Sequence, residues 1–591
     1  MKQAVVAAIV QARMGSTRLP GKVLMPLAGR EVLWHIVHRL KKCQTVDHII
    51  LATSTSEVDD PIEVFGQRNG VMVVRGSEEN VLQRYDQAAK QVDAQVIIRI
   101  TGDAPLIEPQ VIDQLVTLLI EEDADYAYSD SGFETIYEGF VPFSRRALEK
   151  IVAEAGDHPV AREHVSSYIP HYPEGFKISV APDNPAHRIE GVRLSVDTPA
   201  DLRFLETIYQ RLKASPGDLD CAEMVSLLRQ EPALLEINRH VQQKTAHQQT
   251  FRVLIRCDGD SRIGLGHVVR CLALAEELRD RHGLGVSFAM LSGEIGEQRV
   301  REAGFPIEGK PEELVEDDWV YRLVEHKSID LLIVDVRTEL NAETLNLCRE
   351  LGCLCLVIDD GSPRRLAADL VVYPPVPQLQ RMQWDGFGGE RLCGWEWILL
   401  RKSFCRLSSP AQTGKPRVLV SMGGSDPAGL TLLALEALEQ CRILFDTDVV
   451  IGPGFKRHDA LELFLGSAKR DYQIHRQVAD LAPFMVNASL AVVAFGVTAY
   501  ELCAARVPAL LLCLSADHAE SAMALDRAGA AISLGEYGQV TSGFIAEMVD
   551  GLLADPDRRQ QMQSFAGELI DGRGVERLAS RLETLLEEKH G

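Results

Sequence analysis

Short apolar runs rich in β-branched residues alternate with helical patterns along almost the whole chain. In the first third, the runs are AVVAAIV (residues 4–10), HIILATS (48–54), VMVVRG (71–76) and QVIIRITGD (95–103). Residues 111–122 and 199–212 carry apolar side chains three and four positions apart, as amphipathic helices do. Strands that alternate with such helices form parallel sheets covered by helices on their faces. The pattern therefore predicts an α/β protein.

The domain boundaries are indicated by polar segments between these series. The chain has 591 residues, more than one hydrophobic core usually organises. Residues 238–250 are polar and Gln-rich, and a new strand pattern, FRVLIRCD, begins at Phe251. We predict a first domain at 1–237, a linker at 238–250, and two further α/β series at 251–406 and 415–591, joined by LSSPAQTGK. Two such halves with a short linker are typical of a cleft enzyme with two Rossmann-like domains.

Composition excludes some classes of partner. Apolar residues make up 46% and charged residues 25%, as in an ordinary folded protein. The formal charge of -23 argues against a nucleic-acid or acidic-membrane binder. The opening MKQAVVAAIVQAR is too short an apolar run for a signal peptide, and the apolar stretch 490–514 is interrupted by Glu501 and Arg506. We expect no nucleic-acid partner and no membrane span.

The 12 cysteines are scattered through apolar stretches and form no CxxC pair. This usage is typical of buried thiols in a reducing compartment, and not of a disulfide or zinc framework. It predicts a cytoplasmic protein.

The loop QARMGSTRLPGK, residues 11–22, directly follows the first strand. It combines small residues with cations, namely Gly15, Ser16, Thr17 and Gly21 with Arg13, Arg18 and Lys22. A Gly-rich turn lets backbone N–H groups approach a phosphate chain, and fixed cations neutralise the charge that grows during phosphoryl transfer. The loop therefore predicts a triphosphate site, with a solvated basic turn as the alternative.

Two acidic residues lie where strands are predicted to end. Asp103 belongs to TGDAP, at the carboxyl end of a buried strand, and Asp197 belongs to RLSVDTPADL, where we expect a strand to give way to a helix. Open α/β sheets bind ligands at this edge. Two carboxylates brought together can hold Mg²⁺, which prefers oxygen ligands and bridges substrate phosphates. We predict Mg²⁺ as the cofactor, held by Asp103 and Asp197.

Five segments of the first domain resemble the cytidylyltransferase family typified by the spore-coat polysaccharide proteins, relatives of the CMP-sialic acid and CMP-KDO synthetases. The segments are QARMGSTRLPGKVL, RGSEENVLQRY (75–85), RITGDAPLI (99–107), REHVSSYI (162–169) and RLSVDTPADL (193–202). One segment departs: the family's acid-rich stretch after the middle strand reads YEGFVPF (137–143) here, which bears on sugar binding.

The resemblance implies a nucleotidyltransferase fold of Rossmann type and a CTP-dependent reaction. In that reaction the anomeric hydroxyl of an acidic sugar attacks the α-phosphorus of CTP, and pyrophosphate leaves. It also implies that Arg13, Arg18 and Lys22 hold the triphosphate, while Asp103 and Asp197 hold the metal. A homodimer is plausible on the same ground.

A second candidate site lies in RCDGDSRIGLGHVVRCLALAEEL, residues 256–278. The pattern indicates a strand end, a Gly-containing loop and a helix that starts near His267. A helix N-terminus favours anions and lowers the pKa of a nearby imidazole, so a neutral histidine there can act as a general base towards water. A capping or packing role for His267 is the alternative.

This segment resembles the UDP-sugar hydrolase of the pseudaminic acid pathway, a relative of glycosyltransferases with two Rossmann domains (the B type). Further matches are GWEWILLRKSF (394–404), VLVSMGGSDPAGLT (418–431) and GVTAYE (496–501). The resemblance implies that His267 activates water and that the C-terminal half binds the nucleotide. The implied diphosphate contacts lie at 421–426 and Thr498, including Gly423, Gly424 and Ser425, and Glu501 would accept bonds from the ribose.

The departures from that family lie where substrate is expected. They are DVR at 335–337, YPP at 373–375, Phe495-Gly496 and Asp517-His518. The leading hypothesis is a bifunctional enzyme of nonulosonic acid biosynthesis that hydrolyses a UDP-sugar and activates an acidic sugar with CTP. The alternatives make the C-terminal module a glycosyltransferase or a catalytically silent nucleotide-sugar-binding domain.

Overall fold

The computed structural model describes residues 4–155, 158–242, 251–260, 264–291, 295–405, 414–476, 478 and 480–590. The chain forms two compact units. The first comprises residues 1–250 with 279–283, and the second comprises 251–278 with 284–591. Among the described residues, none of the helices is both long enough and apolar enough to cross a membrane.

The first unit contains one large sheet with helices on both faces, and a small two-stranded hairpin. Its strands are β1 (Val6–Gln11), β2 (Pro26–Leu27), β3 (Arg30–Glu31), β4 (His48–Ser54), β5 (Met72–Gly76), β6 (Val96–Thr101), β7 (Tyr126–Ser129), β8 (Phe140–Ser144) and β9 (Ile178–Ala181). Its helices are α1 (Val32–Leu40), α2 (Asp60–Asn69), α3 (Val81–Gln91), α4 (Pro109–Glu121), α5 (Arg145–Ala155), α6 (Pro159–His164), α7 (Tyr168–His171), α8 (Pro199–Leu212) and α9 (Cys221–Gln230).

The order of the sheet is β5-β4-β1-β6-β8-β7-β9, which places β1 in its interior next to the central strand β6, and β2 and β3 form a separate hairpin. β1 pairs in parallel with β4 and β6, whereas β8 runs antiparallel to β6. Val6, Ala8 and Val10 pack into one core and Ala7 and Ile9 into the other. Burial on both faces explains why this strand reads as a continuous apolar run and not as an alternating one.

The first half of the second unit is an all-parallel sheet. Its strands are β10 (Arg252–Cys257), β11 (Gly285–Met290), β12 (Ile307–Gly309), β13 (Leu331–Asp335), β14 (Leu354–Ile358), β15 (Leu370–Tyr373) and β16 (Glu390–Cys393), in the order β12-β11-β10-β13-β14-β15-β16. Its helices are α10 (Gly266–Asp280), α11 (Ile295–Glu302), α12 (Glu316–Lys327) and α13 (Ala342–Glu350).

The second half repeats this plan in another parallel sheet. Its strands are β17 (Arg417–Ser421), β18 (Asp446–Ile451), β19 (Tyr472–Arg476), β20 (Leu490–Ala494), β21 (Ala509–Cys513) and β22 (Ile532–Glu536), in the order β19-β18-β17-β20-β21-β22. Its helices are α14 (Leu430–Gln440), α15 (His458–Ser467), α16 (Ala482–Asn487), α17 (Val497–Ala504), α18 (Ala516–Arg527), α19 (Ser542–Ala554), α20 (Pro556–Leu569) and α21 (Gly574–His590). In both parallel sheets of this unit, the first strand lies in the interior, the next two strands along the chain extend the sheet on one side of it, and the later strands extend it on the other side, as in Rossmann domains.

These sheets confirm the predicted fold class, a Rossmann-like nucleotidyltransferase domain followed by two Rossmann domains in the manner of B-type glycosyltransferases. The boundaries differ from the predicted ones in two places. Asn238, placed in the linker, is 3% exposed and donates hydrogen bonds to Arg193 and Asp201, so the packed first unit continues beyond residue 237. The predicted domain 415–591 includes helix α21. In the structure this helix instead packs against the first half of the second unit, in the core of the β10–β16 sheet, through Leu578, Leu582 and other apolar residues.

The cysteines form no disulfide, as expected, and all 12 lie among the described residues. Most are buried, but Cys393 is exposed and Cys43 and Cys405 are half-buried.

Arg39 joins α1 to two other segments of the first unit. Its guanidinium donates to the carbonyls of Ile107 (2.5 Å) and Leu219 (2.9 Å) and pairs with the carboxylate of Glu108 at 3.0 Å. Arg39 is 4% and Glu108 7% exposed. Removal of one partner of such a pair leaves the other charge buried and unpaired.

We expect Arg39→Ala to lower the free energy of unfolding by about 3–5 kcal/mol. The matched control is Arg68→Ala, which removes an ion pair with Glu31 from an arginine whose side chain is 62% exposed. Such a surface pair contributes at most about 1 kcal/mol. Urea unfolding followed by circular dichroism measures both changes, and equal midpoints for the two variants would contradict the structural role of Arg39.

Candidate functional site

The loops after β1 and β6 meet at the centre of the first sheet, where its strand order reverses. The N–H of Gly102 donates to the carbonyl of Gln11 at 2.9 Å, and a Cβ at position 102 would lie only 2.6 Å from that oxygen. Glycine is therefore required for the close approach of the two loops. The N–H of Val196 donates to the carbonyl of Asp103 at 2.8 Å, which brings a distant segment of the chain to the same point.

Lys22 joins the two predicted metal ligands. It begins a short 3₁₀ turn, Lys22–Leu24, directly after Gly21, whose φ of 72° is left-handed. The Nζ of Lys22 lies 2.5 Å from Oδ2 of Asp103 and 2.6 Å from Oδ1 of Asp197. Both carboxylates thus converge on one cation, although they lie 94 positions apart in the chain. Burial acts to lower the pKa of Lys22, but the two carboxylates outweigh this and raise it.

Asp197 carries two further cations. Arg18 pairs with its Oδ2 at 2.8 Å, and Arg193 donates to the same oxygen. Burial acts to raise the pKa of Asp197, but Lys22, Arg18 and Arg193 together hold it well below its usual range. The site is therefore a cluster of alternating charges, most of which are largely buried.

The other residues of the 11–22 loop that are predicted to bind the triphosphate are exposed or half-buried. Arg13, Gly15 and Thr17 are exposed. The N–H groups of Ser16 and Gly21 both donate to the carbonyl of Met14 at 2.9 Å, which closes the loop. The structure therefore brings Arg18 and Lys22 to the acids, whereas Arg13 is exposed and forms no ion pair with Asp103 or Asp197.

Some residues that hold this site were not predicted from the sequence. Glu138 accepts hydrogen bonds from the backbone N–H groups of Leu194 (3.2 Å) and Ser195 (2.9 Å), next to Asp197. Burial raises the pKa of Glu138, although Arg193 acts in the opposite direction. Its segment, YEGFVPF, was noted only as a departure from the family pattern. The sequence feature that could have identified Glu138 is its position as the one acidic residue in the otherwise largely apolar stretch YEGFVPF.

The strand predicted before Asp197 is absent, since the described residues 191–198 form an irregular loop. Thr198 caps α8 instead: its hydroxyl accepts from the N–H of Asp201, whose carboxylate accepts from the N–H of Thr198. The position of Asp197 is thus set by a helix cap and by Glu138, and not by a strand end.

Asp103 and Asp197 are close enough together to share one cation, because a carboxylate oxygen of each contacts the same atom, Nζ of Lys22. Among the described residues, no group of three or more His, Cys, Asp or Glu side chains is arranged to hold a metal. A magnesium ion at these two acids would therefore need further oxygen ligands, and phosphate oxygens and water are the usual ones.

In the second unit, His267 lies at the start of α10, where β10 and β13 end. Its Nδ1 lies 2.6 Å from Oδ1 of Asp335, the last residue of β13. Arg270, one turn further along α10, makes two hydrogen bonds to the same carboxylate at 2.6 and 2.7 Å. A carboxylate on Nδ1 fixes the tautomer that leaves Nε2 available as a base. Asp335 belongs to the DVR segment noted as a departure, so its role was missed.

The starts of two helices meet across the cleft between the halves of this unit. A Cβ at Gly266 would lie 3.6 Å from Val497, which begins α17. Thr498 lies in the first turn of α17, which has no side-chain cap among the described residues. Uncapped N–H groups at a helix start suit an anion such as a diphosphate. Ser261, Arg262 and Ile263, within the quoted 256–278 segment, lie outside the described residues.

The predicted diphosphate loop follows β17. Gly423 is exposed with a φ of 78°, and Gly424 accepts at 2.8 Å from the N–H of Gly454. Asp426 is buried and its carboxylate accepts from the N–H groups of Leu430 and Thr431 at the start of α14. The start of this helix is therefore already capped, which leaves the turn at Gly423, Gly424 and Ser425 for a ligand.

Glu501 lies deeper than a ribose contact requires. It is 3% exposed, and the guanidinium of Arg401 pairs with it at 2.9 Å. Burial raises its pKa, and Arg401 counters this only in part. A ribose hydroxyl would have to share this carboxylate with Arg401.

One position that departs from the family pattern, Asp517, takes part in contacts between the two halves of the second unit. The side-chain amide of Gln378, just beyond YPP, donates to Asp517 and Ser521 at 2.9 Å each. Arg381 pairs with Glu520 at 2.6 Å. These contacts therefore hold α18 against the first half.

Known proteins match two separate regions of this chain. Residues 7–256 match the family model described as cytidylyltransferase. The spore coat polysaccharide biosynthesis protein SpsF of Bacillus subtilis (strain 168) is 34% identical over 228 residues, which cover 38% of this chain and 94% of SpsF. SpsG of the same organism is 26% identical over 349 residues, which cover 57% of this chain and 100% of SpsG. MurG of Acinetobacter baumannii is 16% identical with a TM-score of 0.41, covering 57% of this chain and 99% of MurG.

The pairing of Asp335 predicts a pH-dependent contribution to stability. Burial acts to raise its pKa, but Arg270 and His267 hold it far below its usual range. A carboxyl group with a depressed folded-state pKa stabilises the fold above its unfolded pKa of about 3.9, and this contribution is lost as the pH falls further.

We therefore expect Asp335→Asn to lower the melting temperature at pH 7, and the gap from the wild type to narrow below about pH 4. Asp359→Asn is the control, since Asp359 contacts Arg270 only at 3.3 Å and its side chain is 29% exposed. Thermal melts followed by circular dichroism between pH 7 and 3 measure this. A gap that stays constant over this range would contradict it.

Proposed function

The chain belongs to the cytidylyltransferase family through its N-terminal region, and on this basis we propose that the first unit transfers CMP from CTP to an acidic sugar. The observation that supports this most is the convergence of Lys22, Asp103 and Asp197, from three segments of the family pattern, at the carboxyl edge of the sheet. Nucleotides bind at this edge in open α/β sheets.

In the proposed reaction, the sugar's anomeric hydroxyl attacks the α-phosphorus of CTP and releases its proton to water, and the bond between that phosphorus and the leaving pyrophosphate breaks. Lys22 and Arg18 leave their carboxylate partners and bind the phosphates, where their charge favours the departing pyrophosphate. Asp103 and Asp197 would hold Mg²⁺, which would supply charge neutralisation to the triphosphate when bound. Arg13 would join from its exposed position on the loop, and the N–H groups of Gly15 and Thr17 would bind phosphate oxygens. The N–H groups of Ser16 and Gly21 instead hold the loop closed on the Met14 carbonyl.

Lys22→Ala and Asp103→Ala test this assignment. Each removes one side of the charge cluster, so we expect CTP-dependent pyrophosphate release to fall at least about 100-fold, as when a single transition-state contact is lost. Lys42→Ala is the control, because Lys42 is also ion-paired, with Asp218 at 2.5 Å, but lies outside the site.

The assay is run on the full chain with four nucleoside triphosphates and a set of acidic sugars. Pyrophosphate release that is unchanged in both variants, or that does not depend on the choice between CTP and the other triphosphates, would reject the proposal.

For the second unit we propose hydrolysis of a UDP-sugar, with His267 as the base that activates water. The bond between Nδ1 of His267 and Asp335, and the adjoining starts of α10 and α17, support this. In this proposal, Gly423, Gly424, Ser425 and Thr498 bind the diphosphate, and Glu501 contacts the ribose. A glycosyltransferase would use the same cleft with an acceptor hydroxyl in place of water.

The three functions of this cleft are separated by two measurements on the full chain. Hydrolysis releases free sugar and UDP from a UDP-sugar without an acceptor, and His267→Ala abolishes this release. Transfer consumes the UDP-sugar only when an acceptor is added. A silent binding domain binds UDP by calorimetry and turns over no UDP-sugar, and that outcome would reject the catalytic proposal.

We also propose that the protein forms a homodimer and is located in the cytoplasm. The first rests on the family resemblance and the second on the lack of disulfides among the 12 cysteines.

A further inference from the structure

The cations and acids of the first unit's site bind each other. Lys22 bridges Asp103 and Asp197, and Arg18 and Arg193 share the second oxygen of Asp197. The side chains of Lys22 and Asp197 are 12% and 13% exposed, so water screens these pairs only weakly. The residues proposed to bind the triphosphate are thus the same ones that neutralise the residues proposed to bind the metal.

A divalent cation and the Lys22 ammonium cannot share these two carboxylates. The ammonium contacts one oxygen of each acid at 2.5 and 2.6 Å, the position from which a metal would coordinate them. Two cations in this position would repel each other strongly, because the surroundings are largely buried. Lysine carries its charge at the end of a flexible four-carbon stem, so it can move from one set of oxygens to another.

We propose that Lys22 is an internal counter-ion that occupies the metal position until nucleotide arrives, so that metal and triphosphate bind as a coupled pair. Binding of metal alone would displace Lys22 with no new anion to pair with it. Binding of the triphosphate alone would draw Lys22 and Arg18 away, which would leave Asp103 without its cation and Asp197 with Arg193 alone. Only the two together provide a partner for every charge.

The inference deepens the proposed function and rests on it in one respect, the assignment of Asp103 and Asp197 as metal ligands. Coupling of this kind is reciprocal, so metal strengthens nucleotide binding by the same factor by which nucleotide strengthens metal binding. It would also keep the site from binding free divalent cations when no CTP is present.

The first test is a Mn²⁺ titration of the full chain without nucleotide, followed by the electron paramagnetic resonance signal of free Mn²⁺. We expect Lys22→Met, which keeps the length of the stem and removes the charge, to bind Mn²⁺ on the order of tenfold more tightly than the wild type. Lys42→Met removes a lysine paired with Asp218 and should bind as the wild type does. Equal affinities for wild type and Lys22→Met would overturn the inference.

The second test needs no substitution of Lys22 and therefore does not depend on the folding of that variant. Trace acetylation followed by peptide mass spectrometry measures the reactivity of each lysine in the wild type. We expect Lys22 to react slowly, and its labelling to rise when Mn²⁺ is added without nucleotide, whereas Lys42 stays unchanged. Labelling of Lys22 that does not respond at Mn²⁺ concentrations at which the protein binds one equivalent would overturn the inference.

The two possible failures are distinguishable. If the wild type binds no Mn²⁺ even with CTP, and Asp103→Asn changes nothing, the metal assignment itself fails. If Mn²⁺ binds at the acids, as shown by its loss in Asp103→Asn, but its affinity is independent of Lys22, only the counter-ion role of Lys22 is rejected.

Discussion

The ion pairs between Lys22 and the carboxylates of Asp103 and Asp197 are the interaction on which the first site depends. They join three segments that are far apart in the chain, and each segment has its own backbone support. Gly102 lets the β6 loop reach β1, the N–H of Val196 donates to the carbonyl of Asp103, and Glu138 accepts from the two preceding N–H groups. The backbone thus brings these charged side chains together before any substrate binds, and in the proposed reaction Lys22 and Arg18 then exchange their carboxylate partners for phosphates.

The second unit positions its charges by a different arrangement. Its central group is the buried carboxylate of Asp335, which binds both His267 and Arg270 on the first turns of α10. A strand end thus orients a histidine at a helix start, and the start of α17 approaches from the other half of the same unit. The contacts of Gln378 and Arg381 with α18 further connect the halves, so that cleft geometry is set by polar contacts at its rim.

The two units share one feature, the placement of charged side chains at the carboxyl ends of parallel strands, at the point where the strand order reverses. The chain's net charge of -23 makes this placement more demanding, because anionic substrates gain nothing from the protein's overall field. Local cations and helix starts must therefore attract phosphates. In the first unit the cations are paired with acids, and we propose that they exchange these partners for phosphates, whereas in the second unit we propose that the uncapped N–H groups of α17 bind the phosphates.

Strand and helix periodicity alone determined the α/β class, the three sheets, and the approximate positions of β1, β4, β5 and β6, because burial on both faces forces continuous apolar runs. Local composition also identified the loop at 11–22 and the acids at 103 and 197. Only the tertiary structure decided that Lys22 lies between those acids, that Asp335 and Glu138 support the sites, and that α21 packs in the first half of the second unit. These contacts join residues tens to hundreds of positions apart, and no local pattern specifies which distant side chains the packing of the sheets brings together.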